Sequence, residues 1–157
     1  MAFNTTNNEL FIVELTSPFE RQQFQFMPEE LNWDRSAVLA TATVVGRNNP
    51  YYQLTGGEDK LALQLDFYAE REDRKDVMQR VAWVQSLTMN NGYAGPVRNI
   101  KLVWGELFKQ EVWIVESARV KLSQFMPNAG MLPQQASVEV SLKLDPKKNR
   151  TLADVRR

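Results

Sequence analysis

The chain has no cysteine and no histidine. Without cysteine there are neither disulfides nor thiolate metal sites. Without histidine it lacks the commonest general base, the usual zinc ligand and the side chain that titrates near neutral pH. No apolar run approaches the ~20 residues of a membrane span. The opening stretch MAFNTTNNELFIVEL has neither the charged n-region nor the apolar h-region of a signal peptide. The expectation is a chain made and folded in the cytoplasm, with no membrane partner. Net charge is also missing, since 19 Lys and Arg balance 19 Asp and Glu. A nucleic-acid binder normally carries a basic stripe to neutralise phosphates, and here only the tail is basic. From Lys143 onward, Lys143, Lys147, Lys148, Arg150, Arg156 and Arg157 outnumber Asp145 and Asp154. A solvated, frayed terminus is the plain reading of that tail; contact with an acidic partner is the alternative.

What is present reads mostly as β. At 157 residues the chain is most simply one domain. LFIVEL (10–15) is a compact apolar run before a Ser17-Pro18 break, and RQQFQFM (21–27) alternates polar and aromatic up to Pro28. AVLATATVV (37–45) is rich in β-branched residues and ends in the turn-forming GRNNP. In YYQLTGGEDKLALQLDFYAE (51–70), Leu61, Leu63, Leu65 and Phe67 share one face of a strand. Ala62, Gln64, Asp66 and Tyr68 share the other. The Gly56-Gly57 pair before them suggests a turn or bulge requiring positive φ.

One segment departs from this rhythm. In DRKDVMQRVAWVQSL (73–87), Val77, Val81, Val84 and Leu87 recur at helical spacing, widened by Met78 and Trp83. Asp73 suits an N-cap and Asp76 the first turn, and NNGYAGP (90–96) ends the helix. β-structure resumes with VRNIKLVWG (97–105) and LFKQEVWIVESARVKLSQF (107–125). In the latter, Val112, Ile114, Ala118, Val120 and Leu122 hold one phase that Glu116 interrupts. A loop at 126–133 precedes QASVEVSLKLDP (135–146), where Val138, Val140, Leu142 and Leu144 alternate with Ser137, Glu139, Ser141 and Lys143. Strands, one helix, then strands indicate a mostly antiparallel α+β domain, or a barrel carrying a helix.

Chemistry is hard to find. Gly56-Gly57 is not a phosphate loop, because the glycines open a strand rather than a helix, beside Glu58 and Asp59. The carboxylates Glu70, Glu72, Asp73 and Asp76 interleave with Arg71, Arg74, Lys75 and Arg80, a solvated helix face with i,i+4 pairs. Trp33, Trp83, Trp104 and Trp113 read mainly as core or interface packing. The expectation is no enzyme, no cofactor and no metal.

The motif order resembles a known family. FQFMPEELNW (24–33), QLTGGEDKLALQLDF (53–67), DVMQRVAWVQSL (76–87) and IKLVWG (100–105) occur in this order, followed by a closing strand pair to about residue 145. The chain is similar to the contractile-injection-system tube protein family, the tube-like domain of baseplate hub and tube-initiator proteins. The resemblance rests on Phe24, Phe26, Pro28, Trp33, Gln53, Thr55, Gly56, Gly57, the Leu61-to-Phe67 alternation, Leu102, Trp104 and Gly105. Met27 and Leu54 depart from the family pattern. The family's LysM peptidoglycan-binding module is not expected here.

What the resemblance implies is a tail-tube-type antiparallel β-barrel or sandwich with one helix (residues 1–145), followed by a basic tail (146–157). It further implies a sixfold ring in a phage tail or contractile particle, joining the spike–hub complex to the tail tube and templating tube assembly. The implied partners are further copies of the chain, the tail tube protein and hub or spike proteins, with the tape measure protein as another candidate and DNA only as passing cargo. With Leu61, Leu63, Leu65, Val138, Val140 and Leu142 in the core, the expected pore-facing set is Ala62, Gln64, Asp66, Ser137, Glu139, Ser141 and Lys143. A different class of function is the alternative: an OB- or PH-like barrel binding oligonucleotide or peptide. Neutral charge and the lack of an aromatic-plus-basic strand face count against it.

Overall fold

In the computed structural model, the residues described are 10–16, 18–24, 28–69, 74–89, 98–108, 111–145 and 156. The strands are β1 (Leu10–Glu14), β2 (Arg21–Gln23), β3 (Leu31–Ala42), β4 (Tyr51–Tyr68), β5 (Asn99–Trp104), β6 (Val112–Met126) and β7 (Leu132–Leu144). One helix, α1 (Arg74–Ser86), connects β4 to β5, and a 3-10 turn at Pro127–Ala129 joins β6 to β7. The strands form one sheet in the order β2-β1-β5-β6-β7-β4-β3, with every ladder antiparallel. The class is therefore the expected one, mostly β with a single helix.

The alternation in β4 sets the core. Leu61, Leu63, Leu65 and Phe67 are at most 5% exposed, and they meet Val138, Val140 and Leu142 of β7. Val77, Val81, Val84 and Leu87 are buried in the same cluster, so the helical stripe docks on the sheet. Each such buried aliphatic or aromatic side chain contributes about 1.5–3 kcal/mol. Asp76 lies in the first turn of α1 and pairs with Arg80 at 3.0 Å. The expected N-cap Asp73, the helix stop at 90–96, residues 25–27 of the first motif and the tail at 146–155 lie outside the described residues.

The sheet is not closed into a barrel, since among the described residues no ladder joins β2 to β3. It curls around its core instead. Phe24, just after β2, packs 5.8 Å from Phe67 of β4, near the far side of the sheet. Trp33 of the edge strand β3 packs edge-on to Trp113 of β6 at 5.4 Å, and Phe108 completes the trio. At the opposite margin Glu14 is buried, accepts a hydrogen bond from Arg98 at 3.1 Å, and also accepts the backbone N–H of Glu20. Arg98 in turn donates to the carbonyl of Met89 beyond the helix.

Two expectations are corrected. Gly56 and Gly57 make no turn and have no positive φ; they lie inside the 18-residue strand β4. The turn falls at residues 43–50, where Gly46 has φ 87°. A bulge does sit beside the pair: Val38 faces Gly56 but Leu39 faces Leu54, leaving Thr55 as the extra residue. The second correction concerns β6. Trp113 and Val115 are buried while Val112 and Ile114 are only partly so, and after Glu116 the inward phase passes to Ala118, Val120 and Leu122. Glu116 is the extra residue of a bulge between Val115 and Ser117, and one added residue exchanges the two faces of a strand.

Candidate functional site: a polar sheet face and a projecting arm

Because β4 and β7 run in register, the seven residues singled out as pore-facing lie together. Ala62 faces Ser141, Gln64 faces Glu139 and Asp66 faces Ser137, while Lys143 faces Lys60. All seven are on the side of the sheet opposite the leucine and valine core. Ala62, Gln64 and Glu139 are exposed, and the other four are half-buried. Gln64 Nε2 donates to Ser137 Oγ at 2.8 Å and to Asp66 Oδ1 at 3.2 Å, a cross-strand polar stitch. β6 extends the face, with Arg119 opposite Glu139 and Lys121 opposite Ser137. The result is a polar surface of mixed sign.

Lys143 has the most defined electrostatics. Its Nζ lies 2.9 Å from Glu58 Oε1 and 3.3 Å from Glu116 Oε1, tying β7 to β4 and to the β6 bulge. The hydrogen bond to Glu58, then that to Glu116, holds the Lys143 ammonium above its ordinary pKa. The same hydrogen bond from Lys143 holds the Glu58 carboxyl below the usual carboxylate value. A shallow depression of about 320 Å³ opens on this face, bordered by Glu29, Glu30, Asp66 and Glu139. Among the described residues no group of three or more acidic side chains is arranged to hold a metal ion. Among them, too, no helix is long and apolar enough to cross a membrane.

A second surface is not legible in the sequence. β7 pairs with β4 only from Lys60 to Tyr68, whereas β3 pairs with β4 out to Ala42 and Tyr51. Residues 35–58 therefore project as a two-stranded arm whose outer part is paired only with itself. Val38, Leu39, Val44, Val45, Tyr51, Tyr52 and Leu54 are between 47% and 102% exposed on it. Leu39 shares the phase of Trp33 along β3 and faces Leu54, and Thr41 faces Tyr52. The Thr55 bulge thus brings Leu54 and Tyr52 onto the same side as the core, beyond the point where any core covers them. Between Ser36 and Gly57 the only charged residue is Arg47, and its guanidinium lies 3.7 Å over the Tyr51 ring. That uncharged run is the available sequence signal, but a buried strand pair reads the same way.

No protein-family model and no curated protein matches the chain. Among solved structures it is similar to a chain in the tail of an empty gene transfer agent (GTA) particle, computed with helical refinement and C6 symmetry. That match has 12% identity and a TM-score of 0.47, and covers 96% of this chain and 99% of the other. It is also similar to a chain in the virion of a native GTA particle, at 12% identity and TM-score 0.41, covering 92% and 95%.

Proposed function

We propose that this chain is a structural subunit of a phage-like tail or related contractile particle. In this reading it forms a sixfold ring at the junction between the spike–hub complex and the tail tube, and offers a surface on which the first tube ring assembles. The observation that carries the reading is the arm. Its seven exposed apolar side chains, each at least 47% exposed, gather on one projecting ribbon, and grouped apolar exposure of this kind marks an interaction surface. Such a ribbon also has open backbone edges along β3 and along residues 51–58 of β4, which invite pairing with other chains. A subunit completed by its neighbours buries such a surface on assembly. The resemblance in motif order to the tube protein family supports the choice of a tail assembly.

The polar face fits the lumen of that ring. Gln64, Asp66, Ser137, Glu139 and Lys143 mix acceptors, donors and both charges, so passing DNA or protein finds no continuous field to bind it. The test is to image the purified chain by negative stain at increasing concentration, alone and with the particle's tube protein, and to locate a tagged copy on intact particles. Rings, or label at one end of the tube, are the expected outcome. A chain that stays monomeric under both conditions and is missing from purified particles would refute the reading.

A further inference from the structure

We infer that Lys143 is a releasable tie that sets the angle of the projecting arm. This holds for the free chain and does not depend on the assembly reading above.

The sheet forks at Lys143. β4 and β7 pair from Tyr68 to Lys60, which faces Lys143, and there their ladder ends. Beyond that point β7 stays with β6: Leu144 faces Trp113, and the N–H of Asp145 donates to the carbonyl of Val112 at 2.8 Å. The other branch is the arm, in which β4 keeps only β3 as a neighbour. Lys143 spans the opening with its side chain. Its Nζ reaches Glu58 Oε1 on the arm at 2.9 Å and Glu116 Oε1 on β6 at 3.3 Å. An ammonium has three donors, so one lysine serves both branches at once. Glu116 is available to it because the β6 bulge adds that residue at this point.

Past the fork the backbone is built to bend. A two-stranded ribbon twists more freely than a wide sheet and is marginal on its own. Just beyond Glu58, an added Cβ on Gly56 would meet nothing within 4 Å, and the Thr55 bulge follows, a feature that bends the strand carrying it. Arg35 and Asp59, 2.8 Å apart, hold the two strands to each other at the root, so the ribbon moves as one piece. The angle between arm and sheet therefore depends on the tie, and with it the place where the exposed apolar side chains of the arm are held.

The tie is releasable because it is wet. The side chains of Lys143, Glu58 and Glu116 are 38%, 40% and 44% exposed. Exposed ion pairs shift an equilibrium only a few-fold each, and salt weakens them. Lys60 works against the tie, since it faces Lys143 across the ladder and like charges there repel; Asp34 faces Lys60 from β3. Concentrated salt loosens this arrangement. Acid that protonates Glu58 and Glu116 removes the tie and leaves two ammonium groups facing each other.

The absence of native cysteine makes a distance measurement clean. Spin labels go on Val45→Cys, at the far end of the arm, and Gln85→Cys on α1, both exposed. Dilution with unlabelled chain removes distances between copies, and melting checks that each variant is folded. At low salt the distance distribution by double electron–electron resonance should be narrow. Lys143→Met should cut the population in that peak several-fold, and Lys143→Arg should preserve it. A Glu58→Gln/Glu116→Gln protein, which keeps the lysine stem, should broaden like Lys143→Met. Concentrated salt should broaden wild type while leaving Lys143→Met unchanged. Lys121→Met, exposed on the same face, is the control and should match wild type. A Lys143→Met distribution as narrow as wild type would overturn the inference. So would equal broadening by Lys121→Met, or a narrow distribution in the double glutamine protein, which would assign the effect to packing of the stem.

Discussion

Arg35 lies across Gly57. A Cβ placed on Gly57 would sit 2.7 Å from Arg35 Nη2 and 3.2 Å from the carbonyl oxygen of Ser36. From this position Arg35 Nη1 donates to the buried Asp59 at 2.8 Å. The second glycine thus gives the guanidinium a path over the root of the arm, while a Cβ on Gly56 would meet nothing within 4 Å. Gly57→Ala should displace Arg35 and cost about 1–3 kcal/mol, the range for disturbing a hydrogen bond to a buried charged group. Gly56→Ala should stay within about 0.5 kcal/mol of wild type. Urea unfolding checks both. In an Arg35→Ala background the Gly57→Ala penalty should shrink, because the clashing side chain is gone; an unchanged penalty would assign it to the Ser36 carbonyl.

The helix offers a second test. Val81 is 2% exposed within the core cluster, so Val81→Asp puts a charge into apolar surroundings and should cost about 3–5 kcal/mol. Thermal unfolding reads this directly. A variant melting within a degree or two of wild type would mean that α1 is not docked on the sheet.

Period-two and helical spacing make much of this fold legible from the sequence. Leu61-to-Phe67, Val138-to-Leu142 and Val77-to-Leu87 each bury the face their spacing assigns them. What the pattern hides are the interruptions. Glu116 reads as a polar break in one phase, but it is the residue at which β6 changes phase. Thr55 does the same to β4, masked by Gly56 and Gly57, which read as turn chemistry. The arm is unreadable for another reason. Alternation records what a strand could bury, and residues 35–58 have the composition of a buried strand pair although β7 stops pairing with β4 at Lys60.

The Lys143 clamp predicts a particular pH dependence. Glu58, held low by Lys143, contributes stability that is fully present above its ordinary 4.5 and lost as pH falls through its folded value. Lys143, held high by Glu58 and Glu116, contributes stability that is present below its ordinary 10.5 and lost as pH rises through its folded value. The difference in melting temperature between wild type and Lys143→Met should therefore form a plateau between these limits and narrow at both extremes. All three groups are solvated, so concentrated salt should shrink the plateau. A difference that salt does not touch would point to lost packing by the lysine stem.

The polar face gives the last test, and it separates folding from assembly. Gln64 is exposed and Ser141 half-buried, both opposite the core, so Gln64→Arg and Ser141→Arg should leave the melting temperature of the monomer nearly unchanged. Gln64→Arg removes the hydrogen bonds to Ser137 and Asp66, and their exposed setting keeps that loss at the low end of about 0.5–1.5 kcal/mol. If these residues line a ring, each substitution repeats one positive charge in every subunit around a narrow lumen, where like charges repel and an anionic cargo is held. Ring assembly, or passage of cargo through assembled particles, should then fall while the isolated chain stays folded. A matched arginine at Gln85, exposed on α1 and away from this face, controls for charge alone. Should Gln64→Arg and Ser141→Arg rings assemble and pass cargo like wild type, the polar face lies outside the lumen, whatever ring the chain forms.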